Sequence, residues 1–87
     1  MKVLIVEDDP GIVETVRLCL ELRWPGVTVF DAGAGQEGVA KVEKHKPDVV
    51  ILDIGLPDIS GFDVLRQVRA FSMVPVVILT VRDQEVD

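Results

Sequence analysis

The sequence predicts an α/β domain built on a parallel sheet. Three observations carry that expectation. Apolar runs short enough for strands alternate with amphipathic stretches long enough for helices, in the order βαβαβαβ. The stretches between successive strands are long enough for crossovers, as parallel pairing requires. Three of the four strands end in a polar group: Glu7 and Asp8 after the first, Asp53 after the third, Thr80 after the fourth. In a parallel sheet such ends share one edge, where sites are built.

The first strand is Lys2 to Val6, with Val3, Leu4, Ile5 and Val6 continuous and apolar. Asp9 and Pro10 then supply an N-cap acid and a proline at the first helical position. Ile12, Val16, Cys19 and Leu20 mark the apolar face of this first helix, with Glu14, Arg17 and Glu21 opposite. Cys19 is expected in the core. Trp24, Pro25 and Gly26 end the helix, and Trp24 is expected to pack as a lid at the sheet edge.

Val27 to Asp31 forms a second strand and Gly35 to Lys46 a second helix, with Val39 and Val42 on its apolar side. Gly38 inside that helix costs roughly 1 kcal/mol relative to alanine, so the helix is expected to be soft. Lys44, His45 and Lys46 fall in its last turn, where cations oppose the helix dipole. Asp48 to Asp53 is the central strand. Its run Val49 to Leu52 has the length and β-branching of a strand buried on both faces. Pro57 blocks helix continuation. Ser60 and Asp63 resemble a capping box, with Phe62, Leu65 and Val68 as the core face of a third helix. Pro75 opens the fourth strand, Val76 to Leu79, and Asp83 resembles the N-cap of a further helix.

Eighty-seven residues are enough for one small domain. A hydrophobic content of 48% marks a folded chain, and a net charge of −6 argues against a nucleic-acid grip by this segment. The single cysteine cannot form an internal disulfide. Cys19 and His45 are too few for a common zinc site. The start resembles no signal pattern and no apolar stretch is long enough for a membrane span, so a cytoplasmic setting is expected.

If the first and third strands are neighbours, Glu7, Asp8 and Asp53 crowd one pocket. Like charges repel there and raise one another's pKa. A cation belongs in such a cluster, and carboxylates with a backbone carbonyl and waters are what Mg²⁺ prefers. A carboxylate beside Mg²⁺ is also a possible nucleophile toward phosphorus, and Thr80 could donate its hydroxyl to a phosphoryl oxygen.

These residues carry a resemblance to the receiver domain of two-component response regulators. The matching stretches are V-L-I-V-E-D-D-P from Val3, P-D-V-V-I-L-D-I-G-L-P-D-I-S-G from Pro47, and P-V-V-I-L-T from Pro75. The resemblance spans residues 1–87 and implies a flavodoxin-like doubly wound sheet of order 2-1-3-4. It implies that Asp53 accepts a phosphoryl group from a sensor histidine kinase, in self-catalysed transfer and hydrolysis rather than enzymatic turnover. It makes Asp8 a direct Mg²⁺ ligand, Glu7 one through water, Gly55 a backbone-carbonyl ligand, and Thr80 the switch hydroxyl. The residues after Leu79 resemble those of regulators with a winged-helix DNA-binding domain, so DNA contact is expected only through an output domain outside this chain.

The departures matter too. The family's fifth strand and helix, its active-site lysine and its switch aromatic have no counterpart here, so the chain reads as a receiver truncated after the fourth strand. The output switch is then expected to be disabled. Self-association is expected through the exposed fourth strand or a bare sheet face. Two other classes compete. Gly33, Gly35 and Gly38 spell a literal G-x-G-x-x-G between a strand and a helix, which alone would suggest a dinucleotide-binding half domain. A haloacid-dehalogenase-type phosphatase would need a second Asp where Gly55 stands.

Overall fold

The computed structural model describes residues 1–79. Thr80, and the helix start expected at Asp83, lie outside the described residues. The elements are β1 (Lys2–Val6), α1 (Pro10–Arg23), β2 (Thr28–Ala32), α2 (Gly35–His45), β3 (Val49–Asp53), α3 (Gly61–Arg69) and β4 (Val76–Leu79). The four strands form one parallel sheet of order β2-β1-β3-β4, as the resemblance implied.

Side chains alternate across the sheet. Leu4 and Val6 of β1 and Val50 and Leu52 of β3 form one buried cluster with Val42 of α2 and Val64 and Val68 of α3. Val3 and Ile5, also fully buried, belong by alternation to the opposite face. Two glycines let the helices seat closely. A Cβ on Gly38 would meet the Val6 methyl carbons, and one on Gly35 would meet Ile59 and Val64. Gly38 therefore marks a close contact between α2 and β1.

Capping follows the local chemistry. The Asp9 carboxylate accepts the Gly11 amide at 2.8 Å and the Ile12 amide at 3.4 Å. The Ser60 hydroxyl accepts the Asp63 amide at 3.1 Å and donates to the Asp63 carboxylate at 3.2 Å. Gly26, with φ 93°, turns the chain into β2.

Four expectations about faces are corrected. In α1 the half-buried positions are Ile12, Val13, Val16, Arg17 and Leu20, a stripe turned toward Val13 and Arg17. Cys19 falls outside it and is exposed. Arg17, expected in solvent, reaches back over β2 to the Val29 carbonyl and the Asp31 carboxylate. In α3 the buried residues are Gly61, Val64 and Val68, while Phe62 is 54% exposed. Close seating of Gly61 on the end of β3 sets that rotation and carries Phe62 outward. Trp24 is also exposed, beneath the Arg23 guanidinium.

Candidate metal centre

The sheet register brings the acids together. Val6 pairs with Leu52 across β1 and β3, so Glu7, one residue beyond, falls level with Asp53. The Glu7 amide donates to the Ala32 carbonyl at 2.9 Å, which carries the β1–β2 pairing one residue past the strand. Glu7 and Asp53 are buried and Asp8 is exposed. Each offers a carboxylate oxygen, and the three oxygens lie within 4.8 Å of one another. The three acids in sequence divide their roles here. Asp9 caps α1, and its own amide donates to the Glu7 carboxylate at 3.0 Å, holding that side chain at the sheet edge.

The donor set fits a hard divalent cation: three carboxylates, no sulfur and no imidazole. A cavity of about 330 Å³ opens beside Glu7 and Asp8, with Glu14, Arg17 and Asp31 on its wall. Arg17 spends its guanidinium there on Asp31 and Glu14.

Gly55 is exposed in the loop that follows Asp53, two residues along. The loop closes on itself, because the Leu56 and Gly61 amides both donate to the Ile54 carbonyl, at 3.1 and 2.8 Å. Gly61 is obligatory for that closure: a Cβ there would lie 2.4 Å from the Asp53 carbonyl oxygen. Of the sequence-predicted site, Glu7, Asp8 and Asp53 are brought together, Gly55 stands on the adjoining loop, and Thr80 lies outside the described residues.

Sequence reasoning missed Asp58. Its carboxylate accepts the Gly35 amide at 2.7 Å and the Gln36 amide at 2.9 Å, at the N-terminus of α2. Those amides, Gln36 first, hold the Asp58 carboxyl below its ordinary pKa. The only signal available was an acid in a loop, and its partners lie 22 and 23 residues earlier. This contact also answers the dinucleotide alternative. The helix N-terminus that would hold a pyrophosphate already holds a carboxylate, Gly35 and Gly38 serve packing, and the Gly33 amide goes to Glu37 at 3.2 Å.

Comparison with known proteins agrees with this geometry. Residues 3–87 match the model of the response regulator receiver domain. The KDP operon transcriptional regulatory protein KdpE of Escherichia coli is 44% identical over 85 residues, covering 98% of this chain and 37% of that protein. The transcriptional regulatory protein CreB of the same species is 45% identical over 86 residues, with the same coverage. The chain thus spans about 37% of the length of these curated relatives. Among solved structures, the BeF3-activated N-terminal receiver domain of Klebsiella pneumoniae RstA superposes with a TM-score of 0.86 at 30% identity, covering 98% of this chain and 71% of that one. A CheY-like receiver domain from Methanospirillum hungatei gives 0.82 at 28% identity, covering 95% and 66%.

Proposed function

Because this chain belongs to the response regulator receiver domain family, whose members are phosphoacceptor signalling domains of two-component systems, we propose that residues 1–87 act as one receiver unit that accepts a phosphoryl group on Asp53. The donor is the phosphohistidine of a sensor kinase. An Asp53 carboxylate oxygen forms the new P–O bond as the P–N bond to the histidine breaks, and the departing imidazole nitrogen takes up a proton. Glu7, Asp8, Asp53 and the Gly55 carbonyl would hold Mg²⁺, which supplies positive charge that offsets repulsion between the carboxylate and the phosphoryl oxygens. Thr80 is the proposed switch hydroxyl.

The observation that carries this reading is the convergence of Glu7, Asp8 and Asp53, from the ends of two paired strands, within 4.8 Å. Glu7 and Asp53 lie beneath, and Asp8 stands at the mouth. Hydrolysis of the acyl phosphate would return the unit to its starting state, so the cycle signals rather than turns over a metabolite.

The setting proposed is cytoplasmic; among the described residues no helix is long and apolar enough to cross a membrane. DNA contact, by analogy with the transcriptional regulators it resembles, would come from residues outside these 87. A titration with Mg²⁺ and beryllofluoride tests metal site and acceptor together. Binding confined to the native state would add about 2.7 kcal/mol of stability at a hundred times Kd. Asp8→Ala and Asp53→Ala should each abolish that gain. A melting temperature indifferent to millimolar Mg²⁺ and to beryllofluoride would sink the reading.

A further inference from the structure

Among the described residues, the seven residues 54–60 that follow Asp53 have no strand partner. Their backbone folds on the Ile54 carbonyl, with the two ends of the loop held at the end of β3 and its middle reaching toward α2. Side chains attach it to the rest of the molecule: Leu56 and Ile59 pack against the core cluster, and Asp58 supplies the polar contact with α2. Asp58 accepts the Gly35 and Gln36 amides of α2. Ile59 packs where Gly35 has no side chain; a Cβ there would lie 2.5 Å from Ile59 Cγ1.

The α2 N-terminus is unusual in needing this visitor. Its own N-cap residue, Ala34, has the extended backbone of a cap, φ −146° and ψ 158°, but no side chain to cap with. α2 is in turn seated on β1 through Gly38 and Val6, and Val6 immediately precedes Glu7. The first turns of α2 therefore bridge the segment that bears Glu7 and Asp8 to the loop that bears Gly55.

We propose that Asp58 is a positioning residue of the metal centre: it clasps the β3–α3 loop to α2 and so fixes the Gly55 carbonyl relative to the acids. It touches neither cation nor phosphoryl group. The inference rests on the Mg²⁺ reading above. Mg²⁺ tolerates little departure from octahedral geometry. A carbonyl on a loop that has lost its polar tie to α2 would have to be ordered further during binding, and that entropy subtracts from affinity. Groups behind a metal's ligands commonly change affinity about 10- to 100-fold. The coupling is reciprocal, so Mg²⁺ also tightens the clasp.

The rival account makes Asp58 a helix cap and nothing more. Asp58→Ala and the double variant A34S/D58A, both in the full 87-residue chain, separate the two. In the double variant α2 is capped from its own chain while the loop stays released. The readouts are Mg²⁺ affinity by calorimetry, melting temperature in EDTA, and amide exchange at Gly35, Gln36, Leu56 and Gly61. D58A is expected to melt lower, to bind Mg²⁺ about tenfold more weakly, and to exchange faster at all four amides. A34S/D58A is expected to regain melting temperature and protection at Gln36, because an N-cap hydroxyl accepts from the second or third helical amide, but to regain neither affinity nor protection at Gly35, Leu56 and Gly61. Asp58→Asn, which keeps one acceptor for these amides, should fall between parent and D58A in affinity. Affinity that returns with stability in the double variant overturns the proposal. So does D58A binding Mg²⁺ as the parent does. Should the parent itself bind no Mg²⁺, the metal reading fails instead. Exchange at Leu56 and Gly61 in EDTA then decides alone, and rates unchanged by D58A refute the clasp.

Discussion

Gly38 of α2 lies against Val6 of β1 so closely that a Cβ on Gly38 would fall 2.9 Å from both Val6 Cγ atoms. Val6 is fully buried, and its branched side chain has little rotamer freedom with which to yield. Its strand is paired on both sides and cannot retreat. Gly38→Ala then sets two effects against each other. Alanine gains about 1 kcal/mol in helix propensity, while overpacking costs about 1–3 kcal/mol. Overpacking wins, and G38A should lose about 1 kcal/mol of stability in chemical denaturation. Combining it with V6A should relieve part of the cost that V6A shows alone, since the new methyl enters the space left behind. A stabilised G38A would show that β1 and α2 are less tightly seated than described.

Glu7, Asp8 and Asp53 bring three carboxylates within 4.8 Å of one another, and like charges this close repel. Asp53→Asn should therefore raise the melting temperature in EDTA. The same variant should lose both the Mg²⁺-dependent gain and acceptance of a phosphoryl group. An Asn variant that melts below its parent in EDTA would contradict the crowding argument.

His45 stacks on Phe30, with ring centroids 4.0 Å apart and planes 14° from parallel. Desolvation, then the charges of Lys44, Lys41 and Lys2, hold its pKa below the ordinary 6.5. The unfolded chain therefore takes up the proton first as pH falls. The contribution of His45 to stability is complete above 6.5 and is lost as pH drops from there through the folded-state value. His45→Phe keeps a ring over Phe30 and removes the proton. Urea midpoints of parent and variant should move apart between about pH 7.5 and 5.5, the parent losing more. Parallel midpoints across that range would exclude His45 from the pH response.

β4 pairs with β3 along one edge, and none of the described residues pairs with the other. Val77 is 53% and Ile78 37% exposed, and no charge or proline interrupts the strand. Such an edge favours pairing with a second chain. The 87-residue chain is expected to self-associate in sedimentation velocity, and Val77→Lys should shift it toward monomer. A parent that stays monomeric at high concentration would refute this.

Much of the fold was legible because strands, caps and turns are local. The expected β2, Val27 to Asp31, lies one residue from the observed Thr28–Ala32. The Asp9 and Ser60 caps stand where short polar side chains precede amphipathic runs. Glu7, Asp8 and Asp53 were legible as a group because an acid that ends an apolar run remains recognisable without its partner. The faces of the helices were less so. Cys19 and Phe62 were placed inside by spacing alone, and both are exposed.

By itself, then, the sequence determined the order of elements and the acids at the strand ends, since each depends on a few adjacent residues. The tertiary structure alone decided how far each helix turns about its axis. A helix can present several overlapping stripes, and the one buried is chosen by the closest seat: Gly38 on Val6 for α2, Gly61 on the end of β3 for α3. It alone joined Asp58 to Gly35 and Gln36, because a capping bond supplied by another segment depends on where the chain returns in space and leaves no periodic mark along it.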